Sequence, residues 1–147
     1  MKVVVHSFRG KAAPWADAAC DEWAKRIRRH APFEEIFAKP GTAAEDAARL
    51  FATLPARARL VALDERGEDL TSEQFAGLVD AAARESAASL FFAIGGPYGH
   101  DASVRTKAWR VVRLSRLVLA HAVARVVLVE QIYRAFAIRS GEPYHHS

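Results

Sequence analysis

Short β-branched and apolar runs alternate along this chain with longer stretches of helical periodicity, and no other feature limits its fold so much. Lys2–Phe8 (KVVVHSF), Phe33–Ala38 (FEEIFA), residues 59–64 (RLVALD), Ser89–Ile94 (SLFFAI) and residues 114–119 (LSRLVL) read as five strands. The third and fourth are so uniformly apolar that both of their faces must be covered. Residues 65–68 read as the exit loop of the third strand. Pro14 opens a helix that reaches about residue 29, with Trp15, Ala19, Trp23 and Ile27 as its core stripe. Thr42 with Glu45 forms a capping box for a helix that Pro55 ends, and the run from Thr71 to Gln74 caps another. A short helical piece spans residues 101–110. A long helix follows from about residue 122, with Val123, Val126, Ile132, Tyr133 and Phe136 in its helical pattern, and Gly141 with Pro143 stops it. This spacing gives an α/β fold, an open and mostly parallel sheet with helices on both faces, in one domain over residues 1–147.

At 147 residues with 51% apolar, the chain can bury a core without disulfides or metal. Its single cysteine, Cys20, falls in the first helical pattern, which suits a small buried hydrophobe and a reducing cytoplasm. No secretory leader pattern opens the chain, and no run approaches the ~20 apolar residues of a membrane span. We therefore expect a cytoplasmic protein with no membrane partner. A net charge of +4 and a pI near 9.6 mildly favour an anionic partner. The basic clusters Lys25, Arg26, Arg28, Arg29 and Arg105 to Arg116 are solvated helix faces or RNA contacts.

In such sheets ligands bind beyond the carboxyl ends of the strands. Three exits are distinctive here: Leu63-Asp64, Gly95-Gly96-Pro97-Tyr98-Gly99, and Leu119-Ala120-His121. The glycines let the backbone approach a ligand closely. Their spacing is neither the dinucleotide fingerprint nor a P-loop, so a phosphate-cradling NTPase is not indicated. One cysteine, with no HExxH or CxxC, gives no metal site. His100 and His121 follow strand exits and could reach a shared pocket, whereas His6 and His30 are isolated. After the helix stop come Tyr144, His145 and His146, an aromatic and two imidazoles that are either placed to touch something or left from an expression tag; only two histidines, directly after a helix stop, favour the first.

Four stretches together, LDERGEDLTSEQFA, FFAIGGPYG, LSRLVLAHAVARVVLVEQIYRAF and GEPYHH, resemble the small SPOUT-class RNA methyltransferases. The likeness is strongest to those that methylate N3 of a pseudouridine in large-subunit ribosomal RNA. The resemblance spans essentially the whole chain. It implies a C-terminal trefoil knot, a homodimer, and S-adenosylmethionine bound by three loops. Carried onto this sequence, those loops are Leu63 with Asp64, Gly95 with Gly96, and Ser115, Arg116, Leu117, Val118, Leu119 and Ala120. The substrate implied is a pseudouridine in a stem-loop of the large-subunit RNA, in the joined ribosome. Ala120 stands where the family has a proline, and Val118 where it often has a threonine. Contacts there are mostly to backbone, so binding is expected to persist.

Methylating a ring nitrogen requires its proton to leave, and a histidine is the usual base. His145 is the candidate, with Tyr144 positioning it and His146 a weaker alternative. Arg134 binds phosphate or pairs with Glu130, one turn away. A chain this short must bind RNA with its own surface, and Arg9, Lys11, Lys25, Arg26, Arg28 and Arg29 are the candidate contacts. A competing class is a non-catalytic RNA- or nucleotide-binding module on the same core. A methyltransferase of this fold acting on transfer RNA is more remote.

Overall fold

Val3 and Val5 face one helix layer while Val4 and Phe8 face the other, so the valine run is buried on both sides of a sheet. In the computed structural model, which describes residues 1–146, that run is β1 (Lys2–Phe8). It pairs in parallel with β2 (Phe33–Ala38) on one side and β4 (Ser89–Ile94) on the other. β3 (Ala58–Asp69) lies beyond β4, and β5 (Arg110–Arg113) forms the far edge. The order is β2-β1-β4-β3-β5, parallel throughout. Helices α1 (Pro14–Ile27), α3 (Ser72–Arg84) and α5 (His121–Ser140) cover one face, with α5 packed between the other two. The opposite face carries α2 (Ala43–Thr53) and α4 (Ala102–Lys107). Both expected capping boxes form, Thr42 with Glu45 and Thr71 with Gln74. Caps of this kind are each worth about 1 kcal/mol. α5 ends with Gly141 at φ 77°, and Glu142 N–H donates to Ala137 O at 3.0 Å. That is the left-handed cap the sequence indicates.

Three expectations are corrected. The fifth strand is Arg110–Arg113 rather than residues 114–119. The LSRLVL run is loop, with Leu117 and Val118 left 78% and 94% exposed, because the hydrogen bonds of β3 are taken by the Val-Val pair just upstream. Residues 65–68 are not a free exit loop. β3 continues through them, its pairing with β5 interrupted by an irregularity between Leu63 and Glu68, both of which pair with Val112. Gly67 permits that crossing, since a Cβ there would lie 2.6 Å from the Val112 backbone. Finally, α1 buries Ile27 as expected, but Ala16, Cys20 and Ala24 are buried in place of Trp15, Ala19 and Trp23, each one position on. Small residues let α1 approach α5 and the sheet closely. Trp15 is left 58% exposed, and Trp23 stacks at the edge on Tyr133 with ring centroids 5.7 Å apart.

The last helix hides a charge that its apolar pattern conceals. Arg125, 3% exposed, grips Glu35 of β2 in a bidentate pair (2.7 and 2.8 Å) and also donates to Asp17 of α1. One guanidinium thus ties together α5, α1 and an edge strand.

Candidate functional site

The exits of β1, β4 and β5 and the irregular middle of β3 open into one cleft of about 1110 Å³. Each wall is set by local chemistry. On the β4 exit, Gly99 N–H donates to Gly96 O at 2.9 Å, and Gly99 has φ 75°. A Cβ on Gly95 would come within 2.9 Å of Gly99, so this turn requires glycine. His100 closes it: the Ala93 carbonyl accepts from its Nε2–H at 3.0 Å, and burial pushes its pKa below the usual imidazole value. At the irregularity within β3, the nearly buried carboxylate of Asp64 accepts from Arg66 N–H at 2.9 Å and from Arg105 Nη1 at 3.3 Å. Arg105 also donates to His100 O at 3.0 Å, stapling the β4 exit to β3. On the third wall, Ser115 Oγ accepts from Leu117 N–H at 2.9 Å. The same loop is fastened to the end of β3 by Arg113 and Arg116, which both bind Asp69.

The cleft is lined by Leu63, Asp64, Gly95, Gly96 and Ser115 through Leu119, so nine of the ten expected cofactor residues come together. Ala120 is not on its surface; it is the N-cap of α5 and makes no side-chain cap. The first amides of α5 therefore have no side-chain acceptor at that cap. Beside them, the Nε2 of His121 is buried with no hydrogen-bond partner among the described residues. Burial first, then Arg125 and Arg9, lower its pKa.

A second cluster lies about 15 Å along α5 from the cleft, Arg134 following the cleft residue Ala124 at about 1.5 Å per residue. Here Arg134 binds Glu130 (3.2 and 3.3 Å), so the intrahelical pair forms. The same guanidinium lies 4.7 Å from the Tyr144 ring centroid and reaches His145 Nδ1 at 3.0 Å. Tyr144 donates to Glu130 at 3.2 Å and meets Tyr133 edge-on. Its pKa is raised, by burial and by Glu130. Among the described tail residues none lines the cleft. The expected base and the expected cofactor loops are thus two places in one chain.

A family profile described as "Predicted SPOUT methyltransferase" matches residues 1–145. A protein of Geotalea uraniireducens named Ribosomal RNA large subunit methyltransferase H is 46% identical over 139 residues, covering 90% of this chain and 91% of that one. The chain belongs to the SPOUT methyltransferase family. Another SPOUT relative, of the same name and from Polynucleobacter asymbioticus, is 40% identical over 99% of both chains. The crystal structure of the SpoU methyltransferase AviRb from Streptomyces viridochromogenes in complex with AdoMet matches at 15% identity and a TM-score of 0.43. It covers 91% of this chain, which spans 57% of that one. At that score the likeness bears on neither chemistry nor ligand.

Within this SPOUT chain the six expected RNA contacts fall into two groups. Arg9 and Lys11 line the cleft, Arg9 held by Asp17 at 2.9 Å and lying 3.6 Å over the Phe37 ring. Lys25, Arg26, Arg28 and Arg29 sit at the far end of α1, beside the start of β2. Arg26 covers Trp23, and Arg28 donates to Phe33 O at 3.3 Å. Sequence reasoning missed Arg105, Arg113 and Asp69, which shape the cleft walls. It also missed Glu73, which reaches His145 at 2.8 Å. Only the density of arginines between residues 105 and 116 hinted at the first group.

Proposed function

We propose that this chain methylates N3 of a pseudouridine in large-subunit ribosomal RNA with S-adenosylmethionine, acting as a homodimer on the assembled ribosome. The observation that carries the reading is the convergence of the β3 irregularity with the loops after β4 and β5 into one cleft, with a base-bearing tail displaced from it. The relatives named Ribosomal RNA large subunit methyltransferase H supply the substrate class. The cleft suits the cofactor. Leu63, Ile94, Leu114 and Leu119 give apolar walls for an adenine, and loop backbone is at hand for its polar edge. The uncapped start of α5 offers amide donors for a carboxylate. When bound there, S-adenosylmethionine supplies a methyl group on a positively charged sulfur, already activated for transfer.

The residues then divide the remaining work. Residues 63–66, 95–100 and 115–119 align donor and acceptor, which is where an in-line transfer gains most. Arg9 and Lys11 meet the RNA backbone at the cleft mouth. His145 takes the N3 proton, Tyr144 holds the tail against α5, and Arg134 receives a phosphate. Because α5 separates tail and cleft within a chain, the tail serves the cleft of a second copy. The exposed Leu117 and Val118 and the rim residue Tyr98 offer apolar surface for that copy to cover. The passage from β5 through residues 114–120 back to α5 is the segment that would form the trefoil knot. The working compartment is the cytoplasm, where the substrate is.

Calorimetric titration with S-adenosylmethionine tests the site, in the wild type and in Ala122→Trp, which fills the cleft from the first turn of α5. Binding lost in the variant supports the site. Mass spectrometry of ribosomal RNA from treated ribosomes tests the reaction. Binding without any methylated nucleotide would sink the enzyme reading and favour a non-catalytic module.

A further inference from the structure

Both ring nitrogens of His145 are engaged, and the chemistry of the partners decides where its proton sits. Arg134 Nη1 lies 3.0 Å from Nδ1, and Glu73 Oε1 lies 2.8 Å from Nε2. A guanidinium has only donors, and an ionised carboxylate has only acceptors. Nδ1 must therefore present a lone pair, and Nε2 must carry the hydrogen it donates to Glu73. Two neighbours thus select one neutral tautomer of the ring.

The partners are themselves held. Glu73 sits in the first turn of α3, which is fastened to α5 where Ser72 Oγ donates to Gln131 Oε1 at 2.8 Å. Gln131 Nε2 donates to Glu130 Oε1 at 3.0 Å. Glu130 in turn holds both Arg134 and the Tyr144 hydroxyl. The hydrogen bond from His145 keeps the Glu73 carboxyl below the usual carboxylate range, so it is ionised near neutral pH. Helix α3, helix α5 and the tail form one closed set of contacts around the imidazole.

We propose that Glu73 is a positioning residue for methyl transfer: it holds His145 in the Nε2–H tautomer, so that Nδ1 is the nitrogen that accepts the N3 proton. This rests on the reading of His145 as the base. Arg134 covers the Nδ1 lone pair while no RNA is present. A phosphate is the stronger acceptor for a guanidinium, and turning to it uncovers Nδ1. The N3–H bond then breaks, the proton passes to Nδ1, and the electron pair stays on N3 to receive the methyl group. The imidazolium formed lies against the Glu73 carboxylate, the arrangement in which a carboxylate both orients a histidine and stabilises its charged form.

The test joins a spectroscopic readout to kinetics in the full chain. Two-bond 1H–15N spectra of histidine-labelled protein report the ring tautomer, with the His145 signals identified by their loss in His145→Ala. The Nε2-protonated form is expected in the wild type and in Glu73→Gln, whose side-chain oxygen still accepts. In Glu73→Ala without RNA, Arg134 still donates to Nδ1 and keeps that form. A mixture of tautomers is expected when Glu73→Ala is combined with Arg134→Met, and the Nε2–H form is expected to persist in Arg134→Met alone. In methyl transfer, Glu73→Ala lowers kcat at least about tenfold with KM unchanged, since a wrong tautomer disables a base that is otherwise in place. Glu73→Gln recovers most of that loss. Glu73 is about half exposed, so neither change threatens the fold. A Nδ1-protonated ring in the wild type overturns the proposal. So does wild-type kcat in Glu73→Ala while His145→Ala is slow, which removes Glu73 alone. Wild-type turnover in His145→Ala removes the base itself, and the role of Glu73 in transfer with it.

Discussion

Replacing Arg125 with methionine isolates the buried charge that ties α5 to the rest of the fold. The Arg125 side chain is 3% exposed and that of its bidentate partner Glu35 is 11% exposed, so methionine keeps most of the volume but leaves a carboxylate buried and unpaired. Breaking such a pair from one side costs about 3–5 kcal/mol. Asp17 adds little, because its side chain is 35% exposed and water screens it. Loss of the contact with the Phe37 ring, 4.7 Å from the guanidinium, adds roughly 0.5–1 kcal/mol. The total is a large part of the ~5–15 kcal/mol that holds a domain folded. In a chain of this length about 4 kcal/mol corresponds to a melting point lower by about 10–15 °C. Urea unfolding followed by tryptophan fluorescence measures the loss, and Arg125→Met with Glu35→Met measures its origin. Removing both charges should return most of the stability, since the penalty lies in the unpaired carboxylate and not in the absence of the pair. A single variant within about 1 kcal/mol of wild type, or a double variant as unstable as the single, would refute this account.

Other consequences are as direct. Gly67→Ala forces a Cβ into the Val112 backbone and should cost about 1–3 kcal/mol, read from the urea midpoint; an unchanged midpoint would mean that β3 and β5 part easily there. His6 and His100 both have pKa values pushed below 6.5 by burial, so the unfolded chain binds protons before the folded one. Stability should hold above about pH 7 and fall as pH drops through 6.5, each imidazole adding at most about 1.4 kcal/mol per pH unit to the slope. A flat profile from pH 7.5 to 5 would contradict their burial. The Cys20 thiol, buried and pushed up to about 11, should resist alkylation at pH 8 until the protein unfolds; rapid labelling of the native protein would show that α1 opens. His145→Ala should slow methyl transfer by about 10²–10⁴ while leaving the calorimetric affinity for S-adenosylmethionine intact.

The first four strands were legible because their burial is written in consecutive apolar residues, as in SLFFAI, whose six residues are all buried. The same rule misled at LSRLVL, where an apolar run forms a cleft wall and a protruding tip while the true strand hides in RVVR. Period alone could not place the α1 stripe, since alanine and cysteine at the buried positions weigh less than the tryptophans beside them. The cleft could be anticipated because glycines and strand ends mark it locally. Arg125 and Glu73 could not, because their meaning lies in partners 90 and 72 residues away. Nor does any local pattern reveal that the tail rests on α3 and α5 instead of at the loops of its own chain.

The two outer strands of the sheet carry a consequence for solubility. β2 and β5 are six and four residues long, and each pairs on one side only. On β2, Glu34 binds Lys2 and Glu35 is locked by Arg125; on β5, Arg110 and Arg113 form two-pronged pairs with Glu68 and Asp69. Short, charged margins are poor templates for a foreign strand. The chain can be crowded without zipping into ribbons, and any growth beyond one copy is left to its helices and loops.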